Sequence, residues 1–259
     1  LAWGLGYFGM PHILLRFMAI EDVNKLSTSR RIGTTWVVIS MAIAVLIGVV
    51  GNGMIHAGAL DEIPAADSQR IIIKISTLLS SYGVLPAIVA GLILSGILAA
   101  TMSTADSQLL AAASSVTQDL LQGTFKLKLS NKAAMVIARL TVIVIAIIGV
   151  IWARNEGSVF TIVSFAWAGF GAAFGPVVLL ALFWKRSNKY GALAGMIAGG
   201  VMVFVWKYCI APIGGILNIY ELLPAFVIAI IVNVVVSLAT KAPDAEVVKE
   251  YDEVAAMKD

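Results

Sequence analysis

The stretch "VLPAIVAGLILSGILAATMSTADSQLL", residues 84–110, decides what kind of molecule this is. Its first part, Val84 to Ala100, carries no charge and one proline, and reads as a lipid-facing run. Thr101, Ser103, Thr104, Asp106 and Ser107 follow, five oxygen-bearing side chains within seven residues. Polar groups at such depth are costly in hydrocarbon, so they ask for a partner. On a helix Ala100, Ser103 and Thr104 stand at i, i+3 and i+4 and share one face.

Composition supports the membrane reading. The chain is 60% hydrophobic and 13% charged, with a mean hydropathy of +0.95, where soluble domains run roughly half apolar and a quarter charged. Apolar runs long enough to span occur at Gly33 to Ile55, Val84 to about Ala105, Ala133 to Ala153, Val159 to Trp184, Ala192 to Ala211 and Ile219 to Ala239. Leu1 to about Ile20 reads as the tail of a seventh. These lengths exceed the ~10 residues of a barrel strand, so the expectation is an all-α polytopic membrane protein. A membrane domain over residues 1–240 is followed by a short, charged, solvated and partly helical tail at 241–259. The opening "LAWGLGYFGM" has neither a starting Met nor a signal peptide, and the chain is expected to be the C-terminal part of a longer protein.

Charge placement orients the spans. Arg16, Lys25, Arg30 and Arg31, then Lys126, Lys128 and Lys132, then Lys185, Arg186 and Lys189, and finally Lys241, Lys249 and Lys258 fill alternate connections. The others hold fewer: Arg70 and Lys74, Arg154, Lys207. Lys and Arg accumulate on the cytoplasmic side, so the C-terminus is expected to be cytoplasmic, in a cell membrane. Between two spans, Ile71, Ile72, Ile75, Leu78 and Leu79 form an i, i+3/i+4 stripe, an amphipathic helix on the outer surface. It is either a plain linker or a cap over an outward vestibule.

Three constellations carry the candidate chemistry. For the hydroxyls of residues 101–107 two readings stand. Hard monovalent cations take several oxygens from hydroxyls and carbonyls, an arrangement that membrane transporters place near the bilayer midplane. Alternatively Ser and Thr bond back to the preceding turn. Asp106 is either a ligand or a wetted carboxylate at the helix end. The second constellation is "WGLGYFGMPH", residues 3–12, where Gly4, Gly6, Gly9 and Pro11 weaken a helix. Trp3 and Tyr7 at i, i+4 form either an aromatic wall beside a broken helix or an interfacial belt. The third, "SFAWAGFGAAFGP", residues 164–176, has Gly169, Gly171 and Gly175, and close helix packing accounts for it. His12, His56 and the Asp61/Glu62 pair lack metal-ligand spacing. Cys209 reads as a packing residue. Phosphate loop, nucleophile elbow and zinc signature are all missing, and the basic residues follow topology, so neither an enzyme nor a nucleic-acid binder is indicated.

"WGLGYFGMPHILLRFMAI" with its following basic loop, and "ILAATMSTADSQLLAAASSVTQDL", together resemble the sodium/solute symporter family, nearest to its bacterial sodium/proline branch. The resemblance covers nearly the whole chain. It implies a LeuT-type inverted-repeat fold, of which this chain holds the second repeat, beginning inside its broken first helix, plus two extra C-terminal helices. The first repeat would lie in the missing N-terminal part. The resemblance also implies co-transported sodium held by the carbonyl of Ala100 and the hydroxyls of Ser103 and Thr104. A small solute, proline or a related amino acid, would be bound by Trp3, Tyr7 and Pro11, with Asp106 and Ser107 as further candidates. Met10 departs from the Gln expected beside that site. Another solute, such as pantothenate or a carboxylate, and a transporter-like sensor domain are the competing functions.

Overall fold

The computed structural model describes residues 2–154 and 158–256, all of whose regular structure is helical. The chain divides into two compact units, Leu1–Ala19 with Phe160–Asp259, and Ile20–Val159. Among the described residues six helices are long and apolar enough to cross a membrane, so this is a multi-pass membrane protein.

In the first unit, α1 (Ala2–Tyr7) and α2 (Pro11–Met18) are the two pieces of the expected seventh span. Neither piece could cross alone. The second unit begins with α3 (Leu26–His56), then a tight 3₁₀ turn at Ala65–Arg70 and the amphipathic α4 (Ile71–Ser80). The stripe predicted there is the face α4 turns inward: Ile71 and Ile75 fill the space left by the missing side chain of Gly51 on α3. Gly83, at φ +122°, ends that connection in a conformation open to glycine and starts α5 (Val84–Ser114).

α5 does not stop near Ala105 as its hydropathy suggested. It continues through Ser114 and runs on as a wider, i→i+5 bonded π-helix to Thr124, a single helical segment of 41 residues. Thr124 donates its hydroxyl to the carbonyl of Asp119 five residues back, at 3.0 Å. Backbone hydrogen bonding continues a helix whether or not its side chains stay apolar, and hydropathy alone does not register that. α6 (Asn131–Trp152) closes the unit, capped by the Ser130 hydroxyl accepting from the Ala133 amide at 3.3 Å.

The first unit resumes with α7 (Val159–Phe183), α8 (Lys189–Val205), α9 (Leu222–Ala239) and α10 (Ala245–Ala256). Its core is Ala168 and Ala172 of α7, Val203 of α8, and Leu222, Ala225 and Phe226 of α9, each at most 4% exposed. α8 and α9 meet along a seam repeating every fourth residue: Gly191, Gly195 and Gly199 face Ala229, Asn233 and Ser237. A Cβ on Gly195 would lie 2.9 Å from the Cβ of Asn233, so only glycine admits this approach. Small residues at i, i+4, i+8 let two backbones touch where lipid supplies no hydrophobic drive. Asn233 and Ser237, both fully buried, are joined by a 3.2 Å hydrogen bond from the serine hydroxyl.

The turn between α7 and α8 grips the chain leaving α9. Asn188 accepts from the Gly191 amide (2.8 Å), capping α8. It donates to the Ser237 carbonyl (3.2 Å), the Thr240 hydroxyl (2.9 Å) and the Lys241 carbonyl (2.7 Å). Arg186 donates to the Thr240 carbonyl at 2.8 Å. Lys185 meets Asp252 of α10 at 2.6 Å. The tail is partly helical and solvated, as expected, and its twelve-residue helix is in addition tied back by an ion pair. Cys209 is exposed, not packed, on the π-helical turn at Trp206–Ile210 that extends α8.

Candidate functional site

α1 ends at Tyr7 and α2 begins at Pro11, so the helix breaks where the glycines and proline indicated. Pro11 suits the first helical position because its missing N–H would be unpaired there anyway. Met10 before it is extended (φ −81°, ψ 117°) and 3% exposed, and its carbonyl accepts from the Ile13 and Leu14 amides at 3.0 Å. Gly6 and Gly9 lie flush against α7. A Cβ on Gly9 would come within 2.5 Å of the Gly175 amide nitrogen, and one on Gly171 within 2.6 Å of the Gly6 Cα. Gly171 and Gly175 thus do the packing expected of "SFAWAGFGAAFGP", whereas Gly169 faces open space.

Tyr7 is 51% exposed and sets its ring edge-on to Trp167 of α7, centroids 5.3 Å apart and planes at 62°. The Trp3 side chain lies outside the described residues. Trp167 escaped the sequence reading; its signal was a single indole set among the small residues of that glycine-rich stretch. His12 lies in the first turn of α2 and His56 in the last of α3, its Nδ1 2.9 Å from the Asn52 carbonyl. No cluster of His, Cys, Asp and Glu among the described residues could hold a metal ion, which leaves hydroxyls and carbonyls as the donors to consider.

Those donors gather on α5. Thr104 is the middle residue of the Val84–Thr124 segment, twenty residues from either end. Its hydroxyl lies 3.4 Å from the Ala100 carbonyl oxygen, a long hydrogen bond. Ser107 donates to the Ser103 carbonyl at 2.9 Å, and Thr101 to the Ile97 carbonyl at 3.0 Å. These three hydroxyls bond back along the helix. The Ser103 hydroxyl makes no hydrogen bond among the described residues, and Asp106 has no ion pair there. Ala100, Ser103, Thr104 and Asp106 are all exposed within their unit, and Ser107 is half-buried. The helix stays unbroken through the motif, so the Ala100 carbonyl offers only its second lone pair. A cation of calcium's size takes oxygens at about 2.3–2.6 Å, so two ligands at right angles stand about 3.3–3.7 Å apart. The Ala100–Thr104 separation falls in that interval.

The sodium:solute symporter family model matches residues 1–199. The chain belongs to the sodium:solute symporter family. This symporter-family chain is 43% identical to the osmoregulated proline transporter OpuE of Bacillus subtilis over 94% of its own length and 48% of that protein. It is 41% identical to the high-affinity proline transporter PutP of the same organism, over 97% of the chain and 51% of the relative. Against the sodium/proline symporter of Escherichia coli the identity is 41%, over 98% and 49%. The chain spans about half the length of the curated relatives it matches. No solved structure matches it.

Proposed function

We propose that this chain is the C-terminal half of a sodium-coupled symporter that imports proline or a similar small amino acid by alternating access, a transporter and not an enzyme. The observation that carries the reading is the row of hydroxyls at Thr101, Ser103, Thr104 and Ser107 on one helix, that of Ser103 unbonded among the described residues, in a chain of this family. The motif closes the apolar run that starts at Val84, the part of this helix that a bilayer core of ~20 residues would take. Membership of the family and the proline-carrying names of the relatives point the same way.

In this reading the chain folds as a LeuT-type second repeat, comprising the broken α1/α2, α3, α5, α6 and α7, followed by α8 and α9 as additional helices. The domain occupies residues 1–240 with 241–259 as a cytoplasmic tail, and α4 caps an outer vestibule. Ala100, Ser103 and Thr104 supply three sodium oxygens, and the other half of the protein supplies the rest. Trp3, Tyr7 and Pro11 line the solute site, and Trp167 holds the Tyr7 ring. Asp106 and Ser107 serve beyond the ligand set. Sodium binding favours the outward-open form that binds solute, so each ligand raises the affinity of the other by the same factor.

The test is uptake by the full-length protein in vesicles with fixed membrane potential, using labelled proline, other amino acids, pantothenate and carboxylates, with sodium present or replaced by potassium. Sodium-dependent proline uptake is the expected result. Uptake indifferent to sodium would sink the coupling, and sodium-dependent uptake of a different solute would move the specificity.

A further inference from the structure

The ends of α7 and α8, the segment that follows α9 and the tail helix α10 line an open cavity of about 680 Å³, within the ~300–1,000 Å³ range of small-ligand sites. It lies where α7 ends and α8 begins, at the ends of two membrane-spanning helices. Its inner wall is apolar, with Val177 and Ala181 of α7, and Leu182 and Phe183 beside it are exposed along the helix side. Charged groups of both signs line the mouth. Lys185 is already neutralised by Asp252. Lys189 touches only the face of the Tyr190 ring, 5.2 Å from its centroid. Lys189, Lys241, Asp244 and Glu250 have no ion-pair partner among the described residues.

Two unpaired cations and two unpaired anions select the ligand. A purely anionic headgroup would meet Asp244 and Glu250, and a purely cationic one would meet the lysines. A group carrying both a phosphate and an amine satisfies all four. We infer that this cavity binds the zwitterionic headgroup of a glycerophospholipid, its phosphate on Lys189 and Lys241, its amine on Asp244 and Glu250, and its acyl chains along Leu182 and Phe183. Basic pockets at helix ends commonly take lipid headgroups, and the carboxylates here set the zwitterionic preference. The site depends on the chain spanning a membrane and not on sodium coupling, so failure of the uptake test leaves it standing.

The experiment uses the full-length protein equilibrated in vesicles of equal phosphatidylethanolamine and phosphatidylglycerol, extracted mildly and weighed by native mass spectrometry. The parent is expected to retain phosphatidylethanolamine over phosphatidylglycerol. The Lys189→Gln/Lys241→Gln pair should lower that retention about tenfold, equivalent to ~1.4 kcal/mol. The Asp244→Asn/Glu250→Gln pair should turn the preference toward phosphatidylglycerol. All four side chains are exposed, so neither variant disturbs a packed core. Preference of the parent for phosphatidylglycerol, or the same retention in the parent and both variants, overturns the assignment.

Discussion

Two glycines four residues apart in α7 make a matched pair for testing how the broken helix is held. A methyl group on Gly171 would meet the Cα of Gly6, which is backbone and cannot rotate away, whereas Gly175 is hemmed in by Phe226 and the Leu5 carbonyl. Overpacking of this kind costs about 1–3 kcal/mol. Gly171→Ala should therefore lower the thermal midpoint of the full-length protein, measured by fluorescence in nanodiscs, while Gly169→Ala, which faces open space, leaves it unchanged or higher. At the ion motif, removing one oxygen from a desolvated cation should lose about 1.5–3 kcal/mol, or ten- to a hundredfold in sodium affinity. Ser103→Ala and Thr104→Ala should each shift solute uptake to higher sodium and recover in part when sodium is raised. Thr104→Ser keeps the oxygen and should be mild, and Ser107→Ala reports on a hydroxyl already bonded to the Ser103 carbonyl. Parental sodium dependence in both alanine variants would leave Thr104 with the ordinary back-bonding that Thr101 shows and Ser103 as a plain helix residue. At Tyr7, exposed and set against Trp167, alanine should raise the apparent KM for solute much more than it lowers protein abundance. The opposite pattern would mark the ring as an interfacial belt.

Among the elements, the α8–α9 pair depends on Asn188. Replacement by alanine removes the cap of α8 and three donated bonds to the end of α9, and a lost cap alone costs about 0.5–2 kcal/mol. Asn188→Ala should open the Lys241 region to protease in the folded full-length protein. Asn188→Asp keeps the capping oxygen but not the donors, so it should restore α8 and still loosen the tail. If alanine leaves cleavage unchanged, Arg186 and Lys185 hold the tail without help. The same elements separate what sequence made legible from what it did not. Span number and type were legible because long uncharged runs such as Val84 to Ala100 have one stable solution in lipid. The break at residues 8–10 was legible because Pro11 and Gly9 act locally. The far end of α5 was not, since helical hydrogen bonds carry on past Ala105 where apolar side chains stop. The Gly191–Gly195–Gly199 seam escaped because its meaning depends on Asn233 and Ser237, some forty residues downstream. Tail docking escaped for the same reason: Lys185 and Asp252 are ordinary surface residues until folding brings them together. Of the candidate site, the hydroxyl row of residues 101–107 and Tyr7 could be named from sequence as proposals, but Trp167 became a partner of Tyr7 only through tertiary packing.

At the scale of the whole molecule, alternation of Lys and Arg between connections predicts which ends face the cytoplasm. Cysteines placed at Ser68 and at Ser187 of the full-length protein should react differently with an impermeant thiol reagent in intact cells. Ser68→Cys should label from outside and Ser187→Cys only after permeabilisation. The native Cys209 is exposed and would confuse the readout, so both belong in a Cys209→Ser background. Outside labelling at Ser187→Cys would invert the topology and place the lipid cavity in the other leaflet.

The glycine contacts between α1 and α7 have a mechanical consequence. Backbone meets backbone at Gly6 and Gly171 and again at Gly9 and Gly175, with no side chain between to bend or swing. Such a joint leaves no room for a substituent on either side, so any larger residue at one of these four positions must push the broken helix and α7 apart along their shared face.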